Sequence, residues 1–552
     1  MRRPLLLCLA LLLVSAWVRA ESTASYAMNL SLQVGDKLES VLATLNEKGF
    51  HIVYSSALIR PEMELRTQPK SSRIDALLQE ILAPWNLRAV RAANGDWLIA
   101  RDESAAAPAA PPATPATSTA TESLETIDVT ATRMKLAVNS ASEVTLGQQD
   151  VARMPHLADD AMRMLKVMPG VSGGDFSAAL NIRGGSREES LLTIDGAEIH
   201  NGFHFRDLDG ALSVLDTNLV EGIDFVTGGM TADVGDYMSG AVGLHTHRPS
   251  AEDEYRNVVG VSFVSAYGRS SGTYAGDRGW WLGSVRRGFL DMLTSRAVNA
   301  NEQLTPRYTD VFASGGFDFS ERTSLSGHLL FSDDDLRYVT DNDHTDSAGK
   351  GRSLHLWFTL DHAFSDDLRS RTLLSMATMK QSRDSSGEDQ HRSGIVFSDN
   401  DFRFLDLRQD WSWSLGENQL PRWGFNIGDQ RGDYDYSLQA AIFDPLLTPV
   451  TLRKDYGTQA DFDLRKLGVY AAWRTRLAPR LTAEAGARWD QYRYHPGLEF
   501  NATSPRLNLV YAVSDAGELR AAWGVVHQPQ SVNELQIEDD VQQFFAPERV
   551  TQ

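Results

Sequence analysis

Over residues 255–552 apolar and polar side chains take turns along the chain, and this alternation restricts the fold more than any other feature. Leu467, Val469, Ala471 and Trp473 alternate with Gly468, Tyr470, Ala472 and Arg474. Leu481, Ala483, Ala485, Ala487 and Trp489 alternate in the same way with Thr482, Glu484, Gly486, Arg488 and Asp490, as do Leu405, Leu407, Trp411 and Trp413 with Asp406, Arg408, Asp410 and Ser412. A period of two sends successive side chains to opposite faces of a strand, so each strand has one apolar face and one charged face. A soluble sandwich and a transmembrane barrel both satisfy that pattern. The barrel is favoured because Trp and Tyr cluster near strand ends, and because turn lengths alternate. Short turns fall near 320–322, 365–368, 478–480 and 514–517, and long loops near 333–352, 381–400 and 434–461. Asp333, Asp334, Asp335, Asp341, Asp343 and Asp346 make the first long loop acidic, which reads as a solvated surface in preference to a calcium site.

Bulk properties narrow the function classes. The 552 residues exceed one ordinary core, and a hydrophobic content of 42% goes with no uninterrupted apolar run after residue 20 of the roughly 18 residues a membrane helix needs. A formal charge of −20 argues against nucleic acid as a partner, since phosphate binding needs clustered Lys and Arg. The sole cysteine is Cys8. It lies in residues 1–20, where Arg2 and Arg3, the apolar run 5–14 and the small residues before position 20 form a secretory signal peptide, so the mature chain is expected to have no thiol or cysteine-held metal.

Residues 26–101 read as a small α/β unit. Leu38, Val41, Leu42 and Leu45 share a helical face, 51–54 reads as a strand, and Ile74, Leu77, Leu78, Ile81 and Leu82 share a second helical face. Strands at 87–90 and 97–100 flank the Asn94-Gly95 turn. Residues 102–122 are almost all Ala, Pro, Thr and Ser, which cannot bury enough apolar surface to fold, so they form an extended tether of about 60 Å. Behind the tether, Ile127 and Val129 alternate with Thr126, Asp128 and Thr130 in a β-prone run.

Between 167 and 242 four segments are closed by glycine: MPGV (168–171), NIRGG (181–185), LLTIDG (191–196) and FVTGGMTADVGDYMSGAV (225–242). Each reads as a short strand whose backbone turns or packs closely at the Gly. A helix is expected within 150–168, ahead of the first segment. In order and spacing these segments closely resemble the plug domain of TonB-dependent outer-membrane receptors. That resemblance implies a fold that is mainly β: a transmembrane antiparallel β-barrel (255–552) around an internal α/β plug (133–248), with 26–101 as a small periplasmic domain similar to the short N-terminal domain of secretins and some such receptors. Barrels of the family have about 22 strands, against about a dozen countable here, so the chain is expected to be incomplete at its C-terminus.

The resemblance also implies partners and sites. Residues 125–132 resemble the TonB box, with Thr126, Ile127, Asp128, Val129, Thr130 and Ala131 adding as a strand to TonB. Arg183 matches a plug arginine that pairs with glutamates of the barrel wall. After the LLTIDG strand, the apex loop 198–210 offers His200, Phe203, His204 and Arg206 as ligand-facing residues. His200 and His204 are four apart, but Asn201 and Gly202 lie between them, so plain loop histidines are preferred to a metal site. No cofactor is expected. The implied function is import of a scarce nutrient across the outer membrane, a ferric siderophore first, with 26–101 signalling to an inner-membrane anti-sigma regulator. The alternatives are a non-signalling importer of heme, cobalamin or glycan, and a secretin-like or structural pore. Nothing resembles a G-x-S-x-G elbow or a P-loop, so no enzyme is expected.

Overall fold

The computed structural model describes most of residues 34–101, 143–151 and 160–552, with short gaps. Residues 1–20, 102–122 and 125–132, expected as signal peptide, tether and TonB box, lie outside the described residues. The chain divides into two compact units, Met1–Thr121 and Glu122–Gln552.

In the first unit, helices Leu38–Glu47 and Ile74–Leu82 pack on a three-stranded sheet. Strand Trp97–Arg101 is central, parallel to Ile52–Val53 and antiparallel to Leu87–Arg91. Leu38, Leu42, Leu45, Leu78 and Leu82 are fully buried, which is the apolar face that their helical spacing dictates.

The second unit holds a plug and a barrel wall. The plug's five-stranded sheet runs Glu143–Gly147, Val220–Val226, Gly240–Thr246, Ser190–Ile194, Ala197–Glu198. The helix expected within 150–168 is described as Ala161–Met164, tightening to a 3-10 turn at Leu165–Val167, and Asp160 caps it by accepting from the backbone N–H groups of Met162 and Arg163. Two glycines show why the plug segments need them. A Cβ on Gly185 would overlap Ser239 and sit 2.7 Å from a Glu189 carboxylate oxygen, and one on Gly240 would sit 2.6 Å from the Val226 carbonyl oxygen. Ile182, Ile194, Ile223, Phe225 and Leu244 form the plug core, which continues onto the wall residues Phe312, Leu330 and Trp357.

The wall is one 14-stranded antiparallel sheet, each strand paired with its neighbours in sequence from Asn257–Val261 to Glu548–Thr551. Its faces follow the alternation: Val469 and Trp473 are 42% and 49% exposed on the outer side, whereas Lys466 and Arg474 are 6% and 8% exposed toward the lumen. The expected long loops are mostly strand instead. Thr323–Thr340 and Thr345–Ala363 stay paired up to Thr340 and Thr345, and strand Thr448–Ala478 runs for 31 residues. A membrane-spanning strand needs about 9–11 residues, so these hairpins project well past the bilayer. Their polar side chains pair across strands, as Arg352 does with Asp333 and Arg337 with Asp346, both at 2.7–2.8 Å.

Candidate functional site

Strand Ser190–Ile194 turns at Asp195 and Gly196, both at positive φ, and delivers the apex loop to the projecting end of the wall. Phe203, Arg206 and Asp207 of the loop, Arg187 of the plug, and Lys350, Gln381 and Arg383 of the hairpins line a cleft of about 200 Å³. Four cations, Arg187, Arg206, Lys350 and Arg383, face two carboxylates, Asp207 and Asp334. Asp334 is committed to the backbone N–H of Phe205 at 3.1 Å, and Arg206 donates to the Gln381 side-chain oxygen at 2.7 Å. The lining is therefore net positive within a chain of net charge −20, with Arg187 also paired to Glu188 at 2.7 Å and to Asp209 at 3.3 Å, and Arg383 4.0 Å from Asp207.

The four apex residues expected together are split. Phe203 and Arg206 line the cleft, whereas His200 and His204 are buried against the wall. His200 stacks on Phe404 at 3.7 Å between centroids, with its Nδ1 3.1 Å from Glu198. His204 has no exposure and places Nε2 3.0 Å from Asp310, with Asp334 3.8 Å from its other ring nitrogen. Burial alone would lower its pKa, but these two carboxylates outweigh burial and raise it to about 9. Asp310 is held in turn by Arg286 at 2.7 Å. Phe205 itself sits at φ 59°, an uncommon conformation for an aromatic residue, fixed by the Asp334 hydrogen bond and by packing against Tyr308, Leu212 and Leu336.

Arg183 is exposed at φ 53°, its guanidinium lying over Gly228, and among the described residues no carboxylate stands within ion-pair distance of it. The expected Arg–Glu lock is thus not formed with the described wall. The plug is held with the opposite polarity. Asp233 lies 3.6 Å from both Arg408 and Arg422, and Asp236 meets Lys466 at 3.2 Å and the Tyr492 hydroxyl at 2.7 Å. Burial acts to raise the Asp233 pKa, and Arg422 and Arg408 overcome it, leaving the carboxyl below the usual range. Arg506 donates to the Met230 and Thr231 carbonyls at 3.1 and 2.8 Å. These pairs join residues more than 170 positions apart, and no local signal in the T-A-D-V-G-D run identifies them.

The described residues between 529 and 547 fold back into the lumen. Val532, Leu535, Ile537 and Phe544 pack on Phe402, Tyr434, Phe462 and Tyr494, and the Tyr494 hydroxyl donates to the Gln530 carbonyl at 3.0 Å. Gln528, just before it, accepts from the Met238 backbone and donates to the Glu188 carbonyl of the plug.

A sheet with an apolar outer face, a charged lumen and a globular domain clamped inside it is a plugged outer-membrane barrel. Two family models match: TonB-dependent Receptor Plug Domain over residues 136–242, and TonB dependent receptor-like, beta-barrel, over 289–552. The chain belongs to the TonB-dependent receptors, and it is a receptor and not an enzyme. Similar solved structures include FpvA of P. aeruginosa bound to heterologous pyoverdines, at 12% identity and TM-score 0.52, covering 94% of this chain and 72% of that one. The ferric enterobactin receptor PfeA of Pseudomonas aeruginosa matches at 18% identity and TM-score 0.53, covering 72% and 65%. The ferric citrate transporter FecA matches at 14% and 0.53, covering 76% and 68%. At these identities the likeness is one of fold.

Proposed function

We propose that this receptor imports an anionic ferric chelate of the siderophore class, captured in the basic cleft above the plug. The observation that carries the reading is the concentration of Arg187, Arg206, Lys350 and Arg383 in one cleft of an acidic protein. Ferric complexes of catecholate and carboxylate chelators bear net negative charge, and cations on low-dielectric walls raise their local concentration. The solved structures with the same fold include receptors named for ferripyoverdine, ferric enterobactin and ferric citrate, which agrees with this cargo. Phe203 and Arg206 are the apex residues that meet the ligand, and His200 and His204 hold the loop to the wall.

Energy enters through Thr126, Ile127, Asp128, Val129, Thr130 and Ala131, which pair with TonB in the periplasm as an added strand. The 26–101 unit, on its 102–122 tether, stands in the periplasm and passes the loaded state to an inner-membrane anti-sigma regulator. The match to FpvA covers 94% of the chain, so the likeness of fold reaches into this unit.

The test compares a deletion strain with its complement for growth on ferric citrate, ferric catecholates, ferric hydroxamates, heme, cobalamin and glycans. Restored growth on an anionic ferric chelate, weakened by Arg206→Ala through an affinity loss of about tenfold or more, is the expected result. Growth restored only by heme, cobalamin or a glycan would replace the cargo.

A further inference from the structure

Below the cleft, the lumen faces of five adjacent strands, from Arg392–Trp413 to Leu498–Ser514, carry a ladder of charges in register. Asp406, Lys466 and Tyr492 share the first row, and Arg408 and Asp490 the second. Asp410, Tyr470 and Arg488 form the third, Arg422 and Arg506 the fourth, and Arg474 and Glu484 the fifth. Lys466 and Arg474 are eight residues apart on one strand, about 26 Å along it and about 20 Å along the barrel axis after tilt, most of the height of the apolar band of an outer-membrane barrel. The rows thus run from beneath the cleft nearly to the turn at 478–481.

These rows hold six cations (Arg408, Arg422, Lys466, Arg474, Arg488, Arg506) and four wall carboxylates (Asp406, Asp410, Glu484, Asp490), a net +2. The plug supplies the missing two negative charges as Asp233 and Asp236. Arg506 shows the imbalance most plainly. Its side chain is buried, among the described residues it donates only to the Met230 and Thr231 carbonyls, Asp233 and Asp490 act on it from beyond ion-pair distance, and its Nε and second terminal nitrogen donate to nothing. A buried guanidinium with free donors is costly unless an anion meets it.

We propose that this wall is the transit path of the cargo, an anion-binding strip that the 230–238 segment of the plug occupies with its own carboxylates and yields to an anionic ferric chelate when the segment is drawn away. The proposal rests on the importer reading given above. It makes Asp233 and Asp236 stand-ins for the cargo's negative oxygens, and the rows a graded handover from cleft to periplasm.

The experiment uses the full receptor in the outer membrane of iron-starved cells. Radiolabelled iron is supplied either as the trianionic ferric tris-catecholate or as the monocationic ferrioxamine B, and surface binding and initial uptake are measured for wild type, Arg506→Gln and Arg506→Lys. Arg506→Gln is expected to slow tris-catecholate uptake about tenfold, with surface affinity as in wild type, and Arg506→Lys to restore most of the rate. Gln ends two bonds and Lys one bond short of the terminal nitrogen that meets the Met230 and Thr231 carbonyls, so a purely structural arginine would slow both chelates alike in each variant, whereas a charge on the path spares the cationic one. Equal loss in both, wild-type uptake in Arg506→Gln, or an equal fall for ferrioxamine B each overturns the path. If Arg506→Gln does not assemble, Asn508→Asp adds a carboxylate to the row of Arg474 and Glu484 and is expected to slow the same uptake. Where the growth panel selects ferric citrate, that anionic chelate replaces the tris-catecholate in the same comparison, and a wild type that accumulates none of the panel's ferric chelates removes the ferric-chelate reading itself, and the path with it.

Discussion

His204 carries a charge that the wall keeps on it. Its pKa is raised from 6.5 to about 9, so its contribution to holding the apex loop is complete below pH 6.5 and is lost as pH rises through about 9. The groups facing it are Asp310, Asp334, Ser332, Tyr308 and, behind Asp310, Arg286. The shift corresponds to roughly 3 kcal/mol, as an order of magnitude. Urea unfolding of the purified receptor across this pH range is expected to show wild type losing stability toward pH 9. His204→Gln should be less stable at pH 6.5 and should lack that slope. Equal slopes in the two proteins would mean that His204 is neutral in the folded state. The histidine was legible in the sequence only as a polar apex residue, because its partners Asp310 and Asp334 lie more than 100 positions away. Arg183 is the converse case: its motif was legible, but the pairing implied by resemblance is not made by the described wall, and the retaining charges are Asp233 and Asp236.

At the scale of elements, the strands that touch lipid were the readable ones. Where one face meets hydrocarbon and the other a charged lumen, composition alternates, and Val469 and Lys466 fall on the expected sides. Val469→Arg is accordingly expected to destabilise the folded barrel by about 2–4 kcal/mol, whereas an apolar exchange such as Val469→Leu should be nearly neutral, as read by urea titration in detergent. Above the bilayer the same strands have water on the outside, the alternation fades, and hairpins such as 333–352 look like loops. What holds them is backbone pairing and cross-strand ion pairs, neither of which leaves a periodic signature. The helices of the first unit were readable for the opposite reason, since every third or fourth residue is a leucine or isoleucine turned to one core.

At the scale of the whole molecule, the proposed transport and signalling roles are separable by position in the chain. Ile127→Pro removes a backbone donor from the segment proposed to add to TonB, so uptake should be abolished while surface binding of the chelate persists. Uptake at the wild-type rate in that variant would remove the box assignment. Deleting 26–101 should spare transport and end ligand-induced transcription of the receptor's operon, and loss of transport with induction intact would assign that unit another task. The projecting hairpins have a consequence of another kind. Strand Thr448–Ala478 and its partner Gln419–Asp444 extend some 15–20 residues beyond what the bilayer needs, which after tilt lifts the tip of this hairpin, one side of the mouth, roughly 35–50 Å above the hydrocarbon. Electrolyte at physiological strength attenuates a surface potential over about 8 Å, so that side of the mouth stands several decay lengths clear of the phosphate-bearing outer leaflet. A negatively charged solute approaching from the medium therefore meets the cations of the cleft before it feels repulsion from the lipid, and its capture is governed by the receptor's own field and not by that of the membrane around it.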